Sequence, residues 1–477
     1  MNARQLLALL PLIVLAAAAV AVMLAAAFRR RHDRVARYTQ GGFLLALAAL
    51  VPAGLAAPTQ VTPLLIVDGY ALFVIALVAG AGLAVAVLAY DYLKPRPGAH
   101  EELYLLLLLA VLGAAVLAGS RHFAAFFLGL ELLSVALFAL VAYPAGAGPA
   151  GRSLEAGIKY LILSGVASPL LLFGMALIYA QTGSLEFAAL SGPLAAADVY
   201  LLAGLALVVA GVGFKLSVAP FHLWTPDVYQ GAAAPVTAFL ATVSKGAVFA
   251  VALRWFIAVD GYAAPTLLWT VSLIAMASML AGNLLALLQD NVKRILAYSS
   301  IAHMGYLLVA LLAGGGWAVE AALVYLLAYF ITTLGAFGIV GVVSESYPEA
   351  QAGNLSDWRG LFWRRPGLAA MFTAMLLSLA GIPLTAGFVG KFYVAAAGVH
   401  GALWLALMVL VAGSVIGLFY YLRIVVVMFS AEGAAEAPAV PPASAALLAV
   451  LTALLVGLGI YPGPVLGVIR AVAAGVL

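Results

Sequence analysis

Residues 122–140 read HFAAFFLGLELLSVALFAL. Past His122 the run is apolar except for Glu131 and Ser134, and its length is close to the ~20 helical residues that cross a hydrocarbon core. A carboxylate well inside such a run costs at least about 2.5–3.5 kcal/mol on insertion scales. The stretch therefore reads both as a membrane span and as a span with a task.

Outward from it, the chain keeps the same character. Its 477 residues are 66% hydrophobic and 8% charged, with 48 glycines, no cysteine and a mean hydropathy of +1.18. A soluble domain is nearer half apolar and about a quarter charged. No water-soluble fold of this length could hide so much apolar surface, which excludes disorder, nucleic-acid binding and a cytosolic enzyme. Without cysteine there are no disulfides, iron–sulfur clusters or thiolate metal sites. The expected fold class is all-α integral membrane, with about fourteen spans at 5–28, 42–58, 70–92, 103–120, 122–143, 158–180, 199–219, 235–257, 265–288, 294–313, 318–343, 367–396, 402–429 and 443–462. The first ends in Arg29, Arg30, Arg31, Arg34 and Arg37, a stop-transfer flank rather than the end of a cleaved signal.

Lysine and arginine test the count. Odd-numbered loops hold 15 of the 22, from Arg29 to Arg423, against Arg4, Arg121, Arg254 and Arg470 on the other side; three lie inside spans. By the positive-inside rule the odd loops are cytoplasmic and both termini periplasmic. Ser344–Pro366 reads as a cytoplasmic connector, and residues 431–444 (AEGAAEAPAVPPAS) as a linker into the last span. Arg423, Tyr420 and Tyr421 read as interface anchors, and Asp290, Lys293 and Arg294 as a solvated turn.

The three in-span cations are Lys215 (VVAGVGFKLSVAP), Lys245 (TAFLATVSKGAVFAVAL) and Lys391 (LAGIPLTAGFVGKFYVAAA). Three lysines and Glu131 cannot cancel one another, so a single static ion pair does not account for them. Groups of this kind commonly pass protons through membranes. Lys215 precedes Pro220, and Lys391 follows Gly381 and Pro383; such breakers are tolerated where protein or water re-satisfies the backbone. Interrupted spans seven and twelve, one in each half, suggest an inverted repeat of spans 4–8 and 9–13 with a site at the breaks. The segments are then 1–97, 98–258, 259–430 and 431–477. His303 (AYSSIAHMGY) lies in span ten, the counterpart of Glu131's span, and reads equally as a core or a relay residue. His222 (APFHLWTPD) either lines a hydrated entrance or caps a frayed end. Lys159 (EAGIKYLILS) either tunes Glu131 or anchors span six at the cytoplasmic surface. The chain has neither a nucleotide loop nor a haem-type histidine pair.

Five stretches carry a resemblance: residues 213–245 (GFKLSVAPFHLWTPDVYQGAAAPVTAFLATVSK), 155–165 (EAGIKYLILSG), 291–311 (NVKRILAYSSIAHMGYLLVAL), 359–393 (RGLFWRRPGLAAMFTAMLLSLAGIPLTAGFVGKFY) and 416–426 (IGLFYYLRIVV). They resemble the antiporter-like membrane subunits of bacterial respiratory complex I, the proton-pumping NADH–quinone oxidoreductase, and subunit N in particular. Lys391, where the sister subunit M typically has glutamate, and the short stretch after span fourteen, where subunit L has a long lateral helix, favour N. The resemblance implies two inverted five-helix repeats in the inner (plasma) membrane. It also implies a Glu131–Lys215 pair and a proton relay through Lys245 and Lys391 driven by quinone reduction elsewhere. NADH, FMN, iron–sulfur clusters and quinone would belong to partner subunits, and neighbouring membrane-arm subunits would be the partners. The rival readings are a cation/proton antiporter or hydrogenase subunit, and a scaffold whose charges only fix helix register.

Overall fold

A computed structural model of the chain describes residues 2–143, 150–190, 198–344, 353–431 and 440–475. The expected all-α membrane architecture is what forms. Among the described residues, thirteen helices are long and apolar enough to span a bilayer. The first six are α1 (Leu10–Phe28), α2 (His32–Ala56), α3 (Gly69–Leu93), α4 (Glu101–Gly119), α5 (Phe123–Ala142) and α6 (Arg152–Thr182). α7 (Val199–Leu216) is followed by the short α8 (Thr225–Gly231), then by α9 (Ala234–Ala258), α10 (Pro265–Leu287), α11 (Val292–Leu312) and α12 (Gly315–Val343). Two half-length helices, α13 (Pro366–Ala380) and α14 (Ala386–His400), cover the place of the expected twelfth span. α15 (Trp404–Phe429) and α16 (Pro442–Ile460) follow, and the chain ends in α17 (Gly463–Ala474). A two-residue hairpin, β1 (Thr59–Gln60) with β2 (Ile66–Val67), joins α2 to α3.

Span two is longer than the expected 42–58. Its first turns bury Val35, Ala36 and Thr39 while leaving arginines outside, so an amphipathic start extends the helix to His32. α17 was not expected as a helix at all: twelve residues are too few to read as a span. The linker residues 432–439 and the connector residues 345–352 lie outside the described residues.

Burial is uneven in a way that places the site. Every residue of α9 from Ala234 to Phe256 is buried, and α11 and α12 are nearly as enclosed, whereas α1 and α16 show most of their surface. Small residues allow the close helix contacts: a Cβ at Gly282 on α10 would come 2.5 Å from the backbone nitrogen of Ala302 on α11. Arg254 of α9 grips Asp68 with two hydrogen bonds of 2.8 Å, both residues buried. That ion pair joins the turn before α3 to α9; the sequence reading had counted Arg254 among the cations on the far side of the membrane, at the end of the span 235–257.

Candidate functional site

Both expected interruptions are present. α7 stops at Ser217, which takes a left-handed conformation (φ 59°), and the chain is non-helical until α8. The freed carbonyl of Phe214 accepts from Trp224 Nε1 at 3.1 Å, and the amide of Ala219 donates to Ser278 Oγ at 2.8 Å. α13 stops at Gly381 (φ 87°), and Thr385 caps α14 by accepting from the Phe388 amide. Gly381 is required twice over: its conformation suits glycine, and a Cβ there would come 2.7 Å from the Lys391 side chain. Helix breaks at membrane depth need such internal partners.

In the first half, the Lys215 ammonium is buried and donates to Ser134 Oγ and Ser164 Oγ, both at 2.7 Å. Glu131 accepts from Ser168 Oγ at 2.7 Å. The expected direct Glu131–Lys215 contact is therefore not made. Among the described residues, no carboxylate lies within 4.0 Å of Lys215, Lys245 or Lys391. Serines one helical turn apart (Ser134 three residues from Glu131, Ser164 four from Ser168) stand between the charges.

Lys245 is buried and follows a five-residue π turn, Leu240–Ser244, that offsets the helix around it; such turns cluster at functional sites. Its ammonium donates to Ser300 Oγ at 2.7 Å and lies 5.3 Å from the Tyr229 ring centre. The stretch between α7 and α9, from Lys215 to Lys245, carries Ser217 Oγ, His222 Nδ1, Thr225 Oγ1 and Tyr229 Oη, all buried without a hydrogen-bond partner. Buried polar groups of this kind are ordinarily satisfied by ordered water. His222 is a buried member of the break.

In the second half, Ser300 Oγ pairs with Tyr329 Oη at 2.7 Å. His303, three residues on, is buried between two phenols: Tyr325 Oη at 2.7 Å from Nδ1 and Tyr421 Oη at 3.2 Å from Nε2. Tyr421 also bonds Ser299, and Tyr420 bonds Asn283 at 3.1 Å. The two tyrosines read as interface anchors are thus core residues: their hydroxyls find partners inside the bundle, which an anchor would send to water. Lys391 is partly buried, donates to the Ala380 carbonyl at 2.9 Å and Ser414 Oγ at 3.3 Å, and lies 5.1 Å from the Tyr306 ring centre. A cavity of about 10 Å³, room for about one water, touches both His303 and Lys391.

Lys159, at the start of α6, pairs with Glu155 at 2.7 Å and Asp227 at 3.1 Å, and Arg294 pairs with Asp227 at 2.6 Å. Burial alone would raise the Asp227 carboxyl; hydrogen bonds from Arg294 and Lys159 outweigh it and hold the group below its ordinary range. A polar recess of about 210 Å³ opens here, lined by Arg152, Glu155, Lys159, Asp227 and Gln230. Lys293 is not part of a solvated turn. It is buried and donates to the carbonyls of Gln230 (3.0 Å) and Ala232 (2.6 Å), where α8 ends and leaves carbonyls unpaired.

The serines and phenols were missed by the sequence reading, although their spacing signals them. Ser134 is at i+3 from Glu131, Ser164 and Ser168 are four apart, Ser300 and His303 three apart, and Tyr325 and Tyr329 four apart, each set on one helix face.

The family profile described as "NADH:quinone oxidoreductase/Mrp antiporter, TM" matches residues 120–417. A protein of Ectopseudomonas mendocina named NADH-quinone oxidoreductase subunit N is 51% identical over 480 residues, covering 98% of this chain and 97% of that protein. A chain of respiratory complex I from Thermus thermophilus superposes with a TM-score of 0.83 at 34% identity, covering 98% of this chain and all of that one. A chain of the Mrp complex from Dietzia shares the fold alone, with a TM-score of 0.86 at 22% identity over 99% of this chain and 97% of that one. With the family profile matched over residues 120–417 and a named subunit N half identical across nearly the whole length of both chains, the chain belongs to the family of antiporter-like membrane subunits of NADH-quinone oxidoreductase, among the subunit N members.

Proposed function

We propose that the chain is subunit N of a bacterial proton-translocating NADH–quinone oxidoreductase. It works in the inner membrane beside the other membrane-arm subunits and carries protons, not electrons. NADH, FMN, the iron–sulfur clusters and quinone are bound by partner subunits. By the charge rule its odd loops and the Lys159–Asp227 recess are cytoplasmic, and its termini periplasmic. Residues 98–258 and 259–430 act as two inverted repeats.

The observation that supports this reading is the solvation of the lysines. Buried cations kept for register are expected in salt bridges, whereas Lys215, Lys245 and Lys391 are held by serine hydroxyls and one carbonyl. Hydroxyl partners can rotate and pass a proton on; a locked carboxylate cannot. Protons enter near the Lys159–Asp227 recess. They pass Lys215, cross the break with its unpartnered polar atoms, His222 among them, to Lys245, and continue through Ser300, Tyr329 and the His303–Tyr325 pair to Lys391. Glu131 is the switch. Closing it onto Lys215 at ~4 Å would gain about 4 kcal/mol at an effective dielectric near 20, and opening it leaves Lys215 without the charge that holds its proton. Changes in quinone chemistry elsewhere reach this switch through charge and hydration.

The test is Lys245→Ala in the assembled complex, in membrane vesicles. Assembly is expected to persist while NADH-driven acidification and quinone reduction fall together. Full pumping by that variant would end the relay reading in favour of a scaffold.

A further inference from the structure

α17 lies across the outer end of the second half, and its single charged side chain makes an ion pair with a residue that has no part in the path above. Arg470 Nε donates to Glu320 Oε1 at 2.8 Å, and its Nη2 donates to Tyr393 Oη at 3.1 Å. Glu320 is on α12 and largely covered, its side chain 15% exposed, while Arg470 is 62% exposed.

Behind this ion pair is a small apolar cavity of about 20 Å³, bounded by Val324 and Ala328 of α12, Ala386 and Val389 of α14, and Leu466 and Ile469 of α17. Ala328 also borders the cavity that touches His303 and Lys391. The helical steps align: Val324 to Glu320, Val389 to Tyr393 and Leu466 to Arg470 are each four residues, one turn on the same face. Moving outward, the order is a small cavity bordered by His303, Tyr329 and Lys391, a second apolar cavity, then a carboxylate with its cation at the surface. Apolar cavities this small stay dry at rest, and constrictions of this sort gate by wetting.

We propose that Glu320, clamped by Arg470 of α17 and Tyr393, is the terminal proton acceptor of the path, and that the Leu466–Ile469 face of α17 is its outer gate. This rests on the relay reading. When water enters the apolar cavity, a proton leaves the Lys391 ammonium through that water for the Glu320 carboxylate, so the lysine becomes neutral and the carboxyl is protonated. The carboxyl weakens its hold on Arg470, gives its proton to outside water, and the ion pair re-forms. No electrons move and each proton is accounted for.

The experiment compares Glu320→Gln, Glu320→Asp, Arg470→Lys and Lys391→Ala in the assembled oxidoreductase in inverted vesicles. Lumenal acidification is followed with a pH-sensitive dye, and NADH oxidation is followed in parallel. Glu320→Gln is expected to slow acidification by about tenfold, with Glu320→Asp and Arg470→Lys recovering most of the rate. A structural ion pair would instead lower the yield of complex and leave the rate per complex unchanged, which overturns the proposal. Normal acidification by assembled Glu320→Gln beside a disabled Lys391→Ala overturns the exit alone; normal acidification by Lys391→Ala overturns the relay beneath it. Should Glu320→Gln not assemble, Leu466→Asn, which makes the gate polar, is expected to speed the decay of a preformed gradient, and an unchanged decay rejects the gate.

Discussion

The two interrupted helices do the same backbone work with different chemistry around their lysines. α7 and α13 both end in a left-handed residue, Ser217 and Gly381; Lys215 stands on α7 just before its break, and Lys391 on α14 just after the second. Lys215 has two serine hydroxyls and, a short step beyond them, Glu131. Lys391 has a helix-end carbonyl, Ser414 and a tyrosine face. The second half carries His303 between two phenols, and the first half carries the carboxylate of Glu131. A charge that can be closed or opened suits control, and a chain of neutral donors and acceptors suits transfer. The first half is thus proposed as the switch and the second as the conductor.

The largest expected effect follows from removing the switched cation. Lys215→Ala should leave assembly largely intact, because its partners are serines that lose no counter-charge, and should lower pumping and quinone reduction together by about tenfold or more, about 1.4 kcal/mol per tenfold on the limiting transfer. Normal pumping by that variant, measured by dye quenching beside NADH oxidation, would remove the distinction between the halves. Next in size is Glu131→Gln, expected to cost more than Glu131→Asp because charge matters more to a switch than reach. The opposite order of rates would make Glu131 a packing residue.

Much of this difference was legible in the sequence, and the illegible part has a physical cause. Charges inside apolar runs are expensive, so Glu131, Lys215, Lys245 and Lys391 stand out from a single chain, and Pro220 with the Gly381–Pro383 pair marks the breaks. Serine and tyrosine are inexpensive in a membrane helix and occur there without a task, so Ser134, Ser164 and Tyr325 carry no signal until a neighbour is known. Tyr420 and Tyr421 were misread for that reason: beside Arg423 near a helix end, a tyrosine pair looks like an interface belt. Lys293 was misread because its partners are carbonyls of a helix end that only the break creates. The Glu131–Lys215 contact was what the family resemblance implied, and the serines that hold each charge instead were not foreseeable from it.

A smaller effect sharpens the conductor. Tyr325→Phe deletes the hydroxyl that His303 Nδ1 engages at 2.7 Å while keeping the ring. Pumping should slow by about threefold, since one neutral hydrogen bond is worth about 0.5–1.5 kcal/mol, and a solvent isotope effect on turnover should grow as transfer through this point becomes limiting. An unchanged isotope effect would move the path elsewhere.

The smallest expected effect discriminates best, because it asks each lysine the same question. Ser164→Ala removes one of the two hydroxyls on Lys215, and Ser414→Ala removes the hydroxyl on Lys391. A hydrogen bond to a charged group is worth about 1.5–3 kcal/mol when short and well placed, and only a fraction of that is lost where a second hydroxyl, Ser134 on Lys215, stays in place. The Ser164 bond is 2.7 Å and the Ser414 bond 3.3 Å, and Lys391 keeps the Ala380 carbonyl at 2.9 Å in either case. Ser164→Ala should therefore slow turnover about twofold or more and shift its dependence on cytoplasmic pH, because the protonated form of Lys215 loses support it cannot replace. Ser414→Ala should do neither. Equal effects would mean that both lysines are held alike, leaving Glu131 as the sole difference between switch and conductor.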